Sequence, residues 1–188
     1  STLTLTLTAS PKQIGSSFRN TLGLKPGLSI NDGEIKSVVN VAMKPDRIDV
    51  TTSSNAALSA TDAGKPINVP PITLNAAAGV TSLTDIVGGV RDIALSMKSD
   101  FLNFAGGGKS VADVNIEGGY DIVRLQDLAK QFVDLGDTQL AGQGKFAVRS
   151  WQDKQVRADA NIEGTGLRIA LKDRQPIDLA RLAGGGSA

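Results

Sequence analysis

The most informative part of the sequence is Ala112-Asp113-Val114-Asn115-Ile116-Glu117-Gly118, because the chain contains it twice. Residues 158–164, Ala-Asp-Ala-Asn-Ile-Glu-Gly, differ from it at a single position. In both copies apolar residues alternate with polar ones, which is the pattern of a β-strand with one apolar face. A stretch that returns further along a chain is typical of a repeated structural unit. We therefore predict a strand-based unit that is used more than once.

The same alternation predicts strands along most of the chain. Leu3, Leu5 and Leu7 share one face of a predicted half-buried strand at residues 2–8. The other predicted strands carry their apolar residues at Ile35, Val39, Val41 and Met43; at Ile48 and Val50; at Ile93, Leu95 and Met97; at Phe146 and Val148; at Val156, Ala158, Ala160 and Ile162; and at Leu167, Ile169 and Leu171. One apolar and one polar face per strand is typical of an antiparallel sheet with one side in water.

Three short helices are predicted between these strands. Ser10-Pro11 has the composition of a helix N-terminus, and the helix that includes Phe18 and Leu22 is expected to end at Gly23. A second helix is predicted at residues 83–90. The third, at residues 125–132, has the most regular helical spacing of apolar residues in the chain.

Glycine and proline predict the turns. Asn31-Asp32-Gly33 and Lys44-Pro45-Asp46 are each expected to reverse the chain. Pro66 and the pair Pro70-Pro71 favour an edge or extended segment over residues 67–74, since proline cannot donate to a sheet ladder. Trp151 is placed at the tip of a hairpin whose turn covers residues 151–154.

The two ends of the chain match each other at a shift of about 110 residues. Phe18 falls on Leu128, and Lys65-Pro66-Ile67 falls on Gln175-Pro176-Ile177. We predict a mainly β fold with a few short helices, in which repeated units of one helix and an antiparallel meander form an elongated curved sheet or groove. Residues 1–80 are the first repeat, residues 81–182 the second, and residues 183–188 a Gly/Ser tail.

Composition excludes several classes of function. A net charge of +1 without long basic runs is not the pattern of a nucleic-acid-binding protein. The chain has no His and no Cys, which excludes zinc sites built on imidazole or thiolate and relays based on these nucleophiles. We expect no cofactor and no metal.

Two motifs suggest chemistry, but each has a simpler interpretation. Residues 103–110, Asn-Phe-Ala-Gly-Gly-Gly-Lys-Ser, lack the first glycine of a phosphate-binding loop and precede a strand, so a glycine-rich connection between strands is favoured. Glu117 and Glu163 could be paired carboxylates, yet their repetition favours a solvated strand end. Asp85 and Asp127 are expected in the first turns of helices. We therefore predict a protein that is not an enzyme.

The C-terminal half resembles a known family. Residues 125–132, Leu-Gln-Asp-Leu-Ala-Lys-Gln-Phe, are followed by glycine-rich strands at residues 140–148 and by Asn161-Ile162-Glu163-Gly164. This order resembles the repeated β-rich segments of AsmA-like proteins, including the TamB-like proteins of bacterial envelopes. The resemblance covers most of the chain and is better from Leu83 to Leu182.

The resemblance implies an elongated sheet with an apolar lining, in the periplasm or cell envelope, in a longer chain that is anchored in a membrane outside this segment. It implies lipid transport between membranes or outer-membrane assembly, with lipid acyl chains or a membrane protein as the partner. The residues expected to line the groove are Phe146, Val148, Val156, Ile162, Leu167, Ile169 and Leu171.

Two alternatives remain open at this point. The same seven residues could be an ordinary core that is packed under the three helices. A surface or adhesin-like β repeat could instead bind a protein or a glycan through its polar faces and loops.

Overall fold

The structure is a computed structural model that describes residues 1–187 except 22, 153–154 and 172–174; the side chains of residues 86, 87 and 187 are not described. The strands are β1 (Thr2–Ala9), β2 (Leu28–Met43), β3 (Ile48–Asp62), β4 (Lys65–Ile67), β5 (Ile72–Val80), β6 (Val90–Lys98), β7 (Leu102–Ser110), β8 (Val114–Asp121), β9 (Gln139–Gln152), β10 (Val156–Ala170) and β11 (Ile177–Ser187). The helices are α1 (Pro11–Ser17), α2 (Ile86–Gly89) and α3 (Ile122–Phe132).

All eleven strands belong to one antiparallel sheet. Their order is β1-β2-β3-β5-β6-β7-β8-β9-β10-β11, and the short β4 also pairs with β3. If β4 is left out, each strand from β2 onwards pairs with the strand before it, so the chain forms a meander. The prediction of a mainly β, antiparallel fold with a few short helices is confirmed. The predicted ranges 1–80 and 81–182 both lie in this sheet, and residues 183–187 of the predicted tail extend β11; residue 188 lies outside the described residues.

The two longer helices, α1 and α3, each begin directly after a capping residue. The Ser10 hydroxyl accepts a hydrogen bond from the backbone N–H of Gln13 at 3.4 Å, and Pro11 occupies the first helical position, as predicted. α1 ends at Ser17, before Gly23; Leu22 lies outside the described residues. Asp121 caps α3 by accepting from the N–H of Arg124 at 3.0 Å.

The two aspartates expected in first turns have different positions. Asp85 precedes α2 and accepts a hydrogen bond from the N–H of Gly88 at 2.8 Å, so it caps this single turn of helix. Asp127 lies in the middle of α3, where the prediction of a first-turn role is wrong. The predicted second helix is also shorter than expected, because Gly88-Gly89 ends it after four residues.

The predicted turn at Asn31-Asp32-Gly33 is wrong. The register between β2 and β3 shifts between Ile30 and Asp32, so the segment is a β-bulge inside β2. Gly33 has a φ of 147°, and a Cβ on it would lie 2.6 Å from the carbonyl oxygen of Ala57. The turn at Lys44-Pro45-Asp46 is confirmed and joins β2 to β3.

The glycine-rich connection at residues 106–108 is also a wrong prediction, because these glycines lie inside β7. A Cβ on any of them would collide with backbone oxygens of the neighbouring strands, those of Ile93, Asp113 and Asn115. The run therefore allows close approach of three strands. Its position in a strand gives it no phosphate-binding geometry.

Residues 67–74 do not form one edge segment. β4 ends at Ile67, Pro70-Pro71 lie in the connection, and Ile72 begins β5, which pairs with β3 on one side and β6 on the other. The prolines thus separate an edge strand from a central one. Trp151 lies at the end of β9, opposite Arg157; Asp153 and Lys154 of the predicted turn lie outside the described residues.

The buried core is small and lies at one end of the sheet. Leu28 and Ala60, with 1% and 2% exposure, are the buried hydrophobic residues among those described. α1 packs on β2 beside them, where Gly15 contacts Ile30. α3 packs on the start of β9, and its buried Gln126 accepts a hydrogen bond from the N–H of Leu140.

The segments that follow α1 and α3 meet each other. Leu24 and Val133 form a β-bridge, and the N–H of Lys25 donates to the carbonyl of Phe132 at 2.9 Å. These segments lead into β2 and β9, which are six strand positions apart in the sheet. The two longer helices therefore lie together at one end of the sheet, and the strands extend beyond them.

The accessible surface is large for the mass of the chain. It is 12148 Å², whereas a folded monomer of 19.5 kDa is expected to expose about 8,500 Å². A sheet that is covered on both faces would not produce this difference.

Candidate ligand-binding face

One side of the sheet is apolar, and we call it the apolar face. The strand register places its residues in two rows that cross ten strands. The Leu5 row is Leu5, Val39, Thr52, Ala76, Leu95, Gly106, Ile116, Val148, Ala160 and Gly186. The Leu7 row is Leu7, Ser37, Ser54, Leu74, Met97, Phe104, Gly118, Phe146, Ile162 and Gly184. Neither row contains a charged residue.

The opposite side is polar, and we call it the polar face. The row that lies between the Leu5 row and the Leu7 row along each strand is Thr6, Val38, Ser53, Asn75, Ser96, Ala105, Glu117, Ala147, Asn161 and Gly185. Neighbouring residues of a strand project to opposite faces, so this contrast follows from the alternation in the sequence. Glu117 and Glu163 lie on this side, as expected. The prediction that each of them ends a strand is wrong, because both lie inside strands.

No second layer covers the apolar face within the described part of the chain. Its central residues, such as Leu95 and Phe146, are only half-buried by their neighbours on the same face. Towards the edges exposure rises to 50% at Leu5 and 41% at Ile162. The helices make their main contacts with β2, β5 and β9 and do not form a layer over the rows. The expectation of a half-buried strand at residues 2–8 is therefore wrong, because all of its residues are exposed.

The structure places most of the seven predicted groove residues on this face. Phe146 and Ile162 are opposite each other in the Leu7 row, and Val148 lies in the Leu5 row. Val156 is 42% exposed at the start of β10. The remaining three residues follow a bulge near Thr165. Leu167 contacts Gly142 and Gly164, and Ile169 is opposite Leu140. Leu171 follows β10.

The seven predicted groove residues do not include the N-terminal half of the same face. Leu74, Met97 and Phe104 continue the Leu7 row, and the rings of Phe104 and Phe146 meet edge to face with centroids 6.3 Å apart across Gly118. Tyr120 was also missed: its ring lies over Gly144, and its hydroxyl donates to the carbonyl of Glu163 at 3.2 Å. The alternation that marks these positions is present in the sequence, but strand order is needed to join them.

Two serines of the apolar face bond to each other. The hydroxyls of Ser37 and Ser54 are 2.7 Å apart in the Leu7 row. Removal of water from a hydroxyl costs less free energy when the hydroxyl already has a hydrogen-bond partner in the protein. This pair therefore interrupts the apolar face less than two unpaired hydroxyls would.

The polar face carries a cleft of about 740 Å³ beside the start of α3. It is lined by both charged and amide side chains, including Asn103, Arg124, Lys145, Glu163 and Arg181. Arg124 also pairs with Asp121 at 3.3 Å. Charges of both signs line this cleft, so it has no single electrostatic preference.

At the opposite end of the polar face an arginine joins three strands. Arg47 bonds to Asp49 on β3 and to Asp92 on β6, and its guanidinium lies where a Cβ on Gly79 of β5 would be. Hydrogen bonds from Lys44 and Arg47 lower the pKa of Asp49 below its ordinary value of 3.8. The bonds to Asp92 and Asp49 raise the pKa of Arg47. The cluster is an ion-pair network, and Lys44 and Arg47 also line a small cleft of about 370 Å³.

The described residues contain no group of three or more His, Cys, Asp or Glu side chains that could hold a metal ion. Within the same residues, none of the helices has the length and apolar character to cross a bilayer. Comparison of the chain with models of protein families, with curated proteins and with solved structures found no match.

Proposed function

We propose that the apolar face binds the acyl chains of lipids, and that the chain is a non-enzymatic segment of a larger bacterial envelope protein. The observation that supports this is the bare apolar face: two uncharged rows that cross ten strands without a covering layer in the described residues. A sheet with one apolar face needs a cover, and acyl chains are the ligand class whose surface is equally apolar.

The length of the rows fits this ligand. Strands in a sheet are about 4.8 Å apart, so ten strands give rows of roughly 43 Å. The hydrocarbon core of a bilayer, which holds two acyl chains end to end, is about 30 Å thick. Each row is therefore long enough for two lipid tails in succession.

The composition of the face predicts weak selectivity. Removal of apolar surface from water contributes about 25 cal/mol per Å² and has no directional requirement. The rows contain no charge that would recognise a headgroup. We expect phospholipids with different headgroups to bind with similar affinity, as suits transport between membranes or assistance to outer-membrane assembly in the periplasm.

The order of elements supports the proposed duplication and the resemblance to AsmA-like proteins. A strand, a helix, a bridging residue and a long hairpin occur as β1, α1, Leu24 and β2–β3, and again as β8, α3, Val133 and β9–β10. Gly33 in the first hairpin and Gly142 in the second both have positive φ, 147° and 130°. We propose that these are two copies of one unit.

Native mass spectrometry of the protein purified from a bacterial host, with extraction and identification of lipids, tests the proposal. Ile162→Asp places a carboxylate on the apolar face, and the matched control Asn161→Asp places one on the polar face of the same strand. We expect wild type and Asn161→Asp to carry phospholipid and Ile162→Asp to lose most of it, with equal circular dichroism spectra. A wild-type protein that neither co-purifies with lipid nor takes it up from vesicles would refute the proposal.

A glycan or protein partner on the polar face is the second candidate, and the cleft of about 740 Å³ favours it. Its amide, cationic and carboxylate groups can bond to hydroxyls. Binding of an oligosaccharide or protein that is lost in Lys145→Ala and Glu163→Ala and retained in Ile162→Asp would support this function instead.

A further inference from the structure

The bulge in β2 contains Asp32-Gly33, which is the one Asp-Gly sequence of the chain. The register between β2 and β3 changes here, so that Asn31 is the extra residue of the bulge. Asp32 is exposed to water. Lipid binding to the apolar face assigns no role to this pair, and its local geometry is unlike that of a regular strand.

The bulge brings the amide of Gly33 onto the carboxylate of Asp32. The N–H of Gly33 donates to Oδ1 of Asp32 at 2.8 Å. A C–O bond is about 1.2 Å long, so the carboxyl carbon is no more than about 4 Å from the Gly33 nitrogen. Glycine has no side chain that would hinder attack by this nitrogen. An amide nucleophile and a carbonyl electrophile are therefore already close in the folded chain, and such proximity accelerates intramolecular reactions.

We propose that Asp32-Gly33 is a modification site, at which the folded chain forms a succinimide and then isoaspartate without an enzyme. The Gly33 nitrogen bonds to the Asp32 carboxyl carbon, and a hydroxyl group leaves that carbon with the amide proton as water. Water then opens the ring at either carbonyl. Opening at the backbone carbonyl leaves Gly33 attached through the former side-chain carboxyl carbon, which is isoaspartate. Opening at the other carbonyl restores aspartate.

The bulge can also accommodate the product. Isoaspartate has one more carbon in the main chain than aspartate. β2 already contains one residue more than β3 at this point, with regular pairing before it at residues 28–30 and after it at residues 32–43. We therefore expect the modified chain to stay folded. The reaction does not involve the apolar face, so its outcome is independent of the lipid proposal.

A matched control can be made in a regular strand of the same chain. Glu117→Asp creates a second Asp-Gly sequence with Gly118, in β8, whose pairing with β7 and β9 has no register shift. The side chain of Glu117 is 60% exposed, so access of water does not distinguish the two positions. In a regular strand side chains stand perpendicular to the sheet, whereas the N–H groups lie in its plane. The control carboxyl is therefore held away from the next amide nitrogen.

The test compares the two positions in one protein. The 188-residue chain with Glu117→Asp is kept at neutral pH for several weeks, both folded and unfolded in guanidinium chloride. The folded fraction is recovered by gel filtration and digested, and electron-transfer fragmentation identifies isoaspartate. The tryptic peptide of residues 20–36 has Asp32 as its single aspartate.

In the folded fraction we expect isoaspartate at position 32 to form at least about tenfold faster than at 117, since a misplacement of about 1 Å can slow a reaction about 100-fold. In the unfolded chain the two positions should react at similar rates. Asp32→Glu should abolish the product at position 32, because the larger imide ring closes slowly.

Protection of Asp32 in the folded chain, with reaction only after unfolding, overturns the proposal. Equal rates at 32 and 117 in the folded fraction also overturn it, because the bulge would then have no effect. Circular dichroism shows whether Glu117→Asp keeps the sheet. If the variant fails to fold, the comparison of folded with unfolded wild type still decides whether Asp32 reacts in the native chain.

Discussion

The apolar face behaves differently at its two ends, although the residues are of the same kind. Near α1, Leu28 and Ala60 are covered and have at most 2% exposure. Along the Leu7 row, Phe146 is half-buried and Ile162 is 41% exposed, with no helix above them. The helices therefore bury a small core at one end and leave the rest of the apolar surface uncovered, where we propose that a ligand binds. Stability and binding are thus expected to depend on separate residues.

The largest effect is expected from truncation at the covered end. Leu28→Ala leaves a cavity in the buried core and should lower the free energy of unfolding by about 2–5 kcal/mol. Ile162→Ala removes a side chain that is already exposed and should cost less than about 1 kcal/mol. Urea unfolding followed by circular dichroism measures both. Equal losses would mean that the open face is part of the core, as in the alternative of a packed sheet.

A smaller contrast is expected between two adjacent glycines. A Cβ on Gly118 would lie 2.6 Å from the Phe146 ring and 2.5 Å from the carbonyl oxygen of Asn103. Gly118→Ala should therefore destabilise by about 1–3 kcal/mol. Gly119 faces the polar side, where a Cβ would meet nothing closer than 3.4 Å. Gly119→Ala should be neutral or stabilise by up to about 1 kcal/mol. The same unfolding measurement on both variants tests whether the aromatic contact across Gly118 is formed.

The smallest effect concerns pH. The pKa of Asp49 is lower in the folded protein than its ordinary value of 3.8. Its charged form therefore contributes stability above that pH, and the contribution is lost as the pH falls below it through the folded pKa. Wild type should be more stable than Asp49→Asn at neutral pH, and the difference should shrink below about pH 4. A difference that does not change with pH would contradict the proposed ion-pair network with Lys44 and Arg47.

The sequence predicted the strands and their faces well, because alternation is a local signal. Leu3, Leu5 and Leu7 or Val39 and Val41 mark a face without knowledge of the neighbours. The Asp32-Gly33 bulge and the glycines at 106–108 were predicted wrongly, since the same residues serve a turn, a bulge or a close strand approach, and only the partner strand decides. The Leu7 row could not be predicted, because it depends on the register of ten strands. The helices cover one end of the sheet and leave the rows open because of where they dock. No local sequence pattern indicates that position.

Photo-crosslinking at two neighbouring positions in living bacteria can show whether the apolar face binds acyl chains. A photoreactive phenylalanine analogue replaces Ile162 on the apolar face in one variant and Asn161 on the polar face in another. We predict that mass spectrometry of the purified protein will find phospholipid adducts at position 162 and none at 161. Equal lipid labelling at both positions, or only protein adducts at 162, would contradict an apolar face that binds acyl chains.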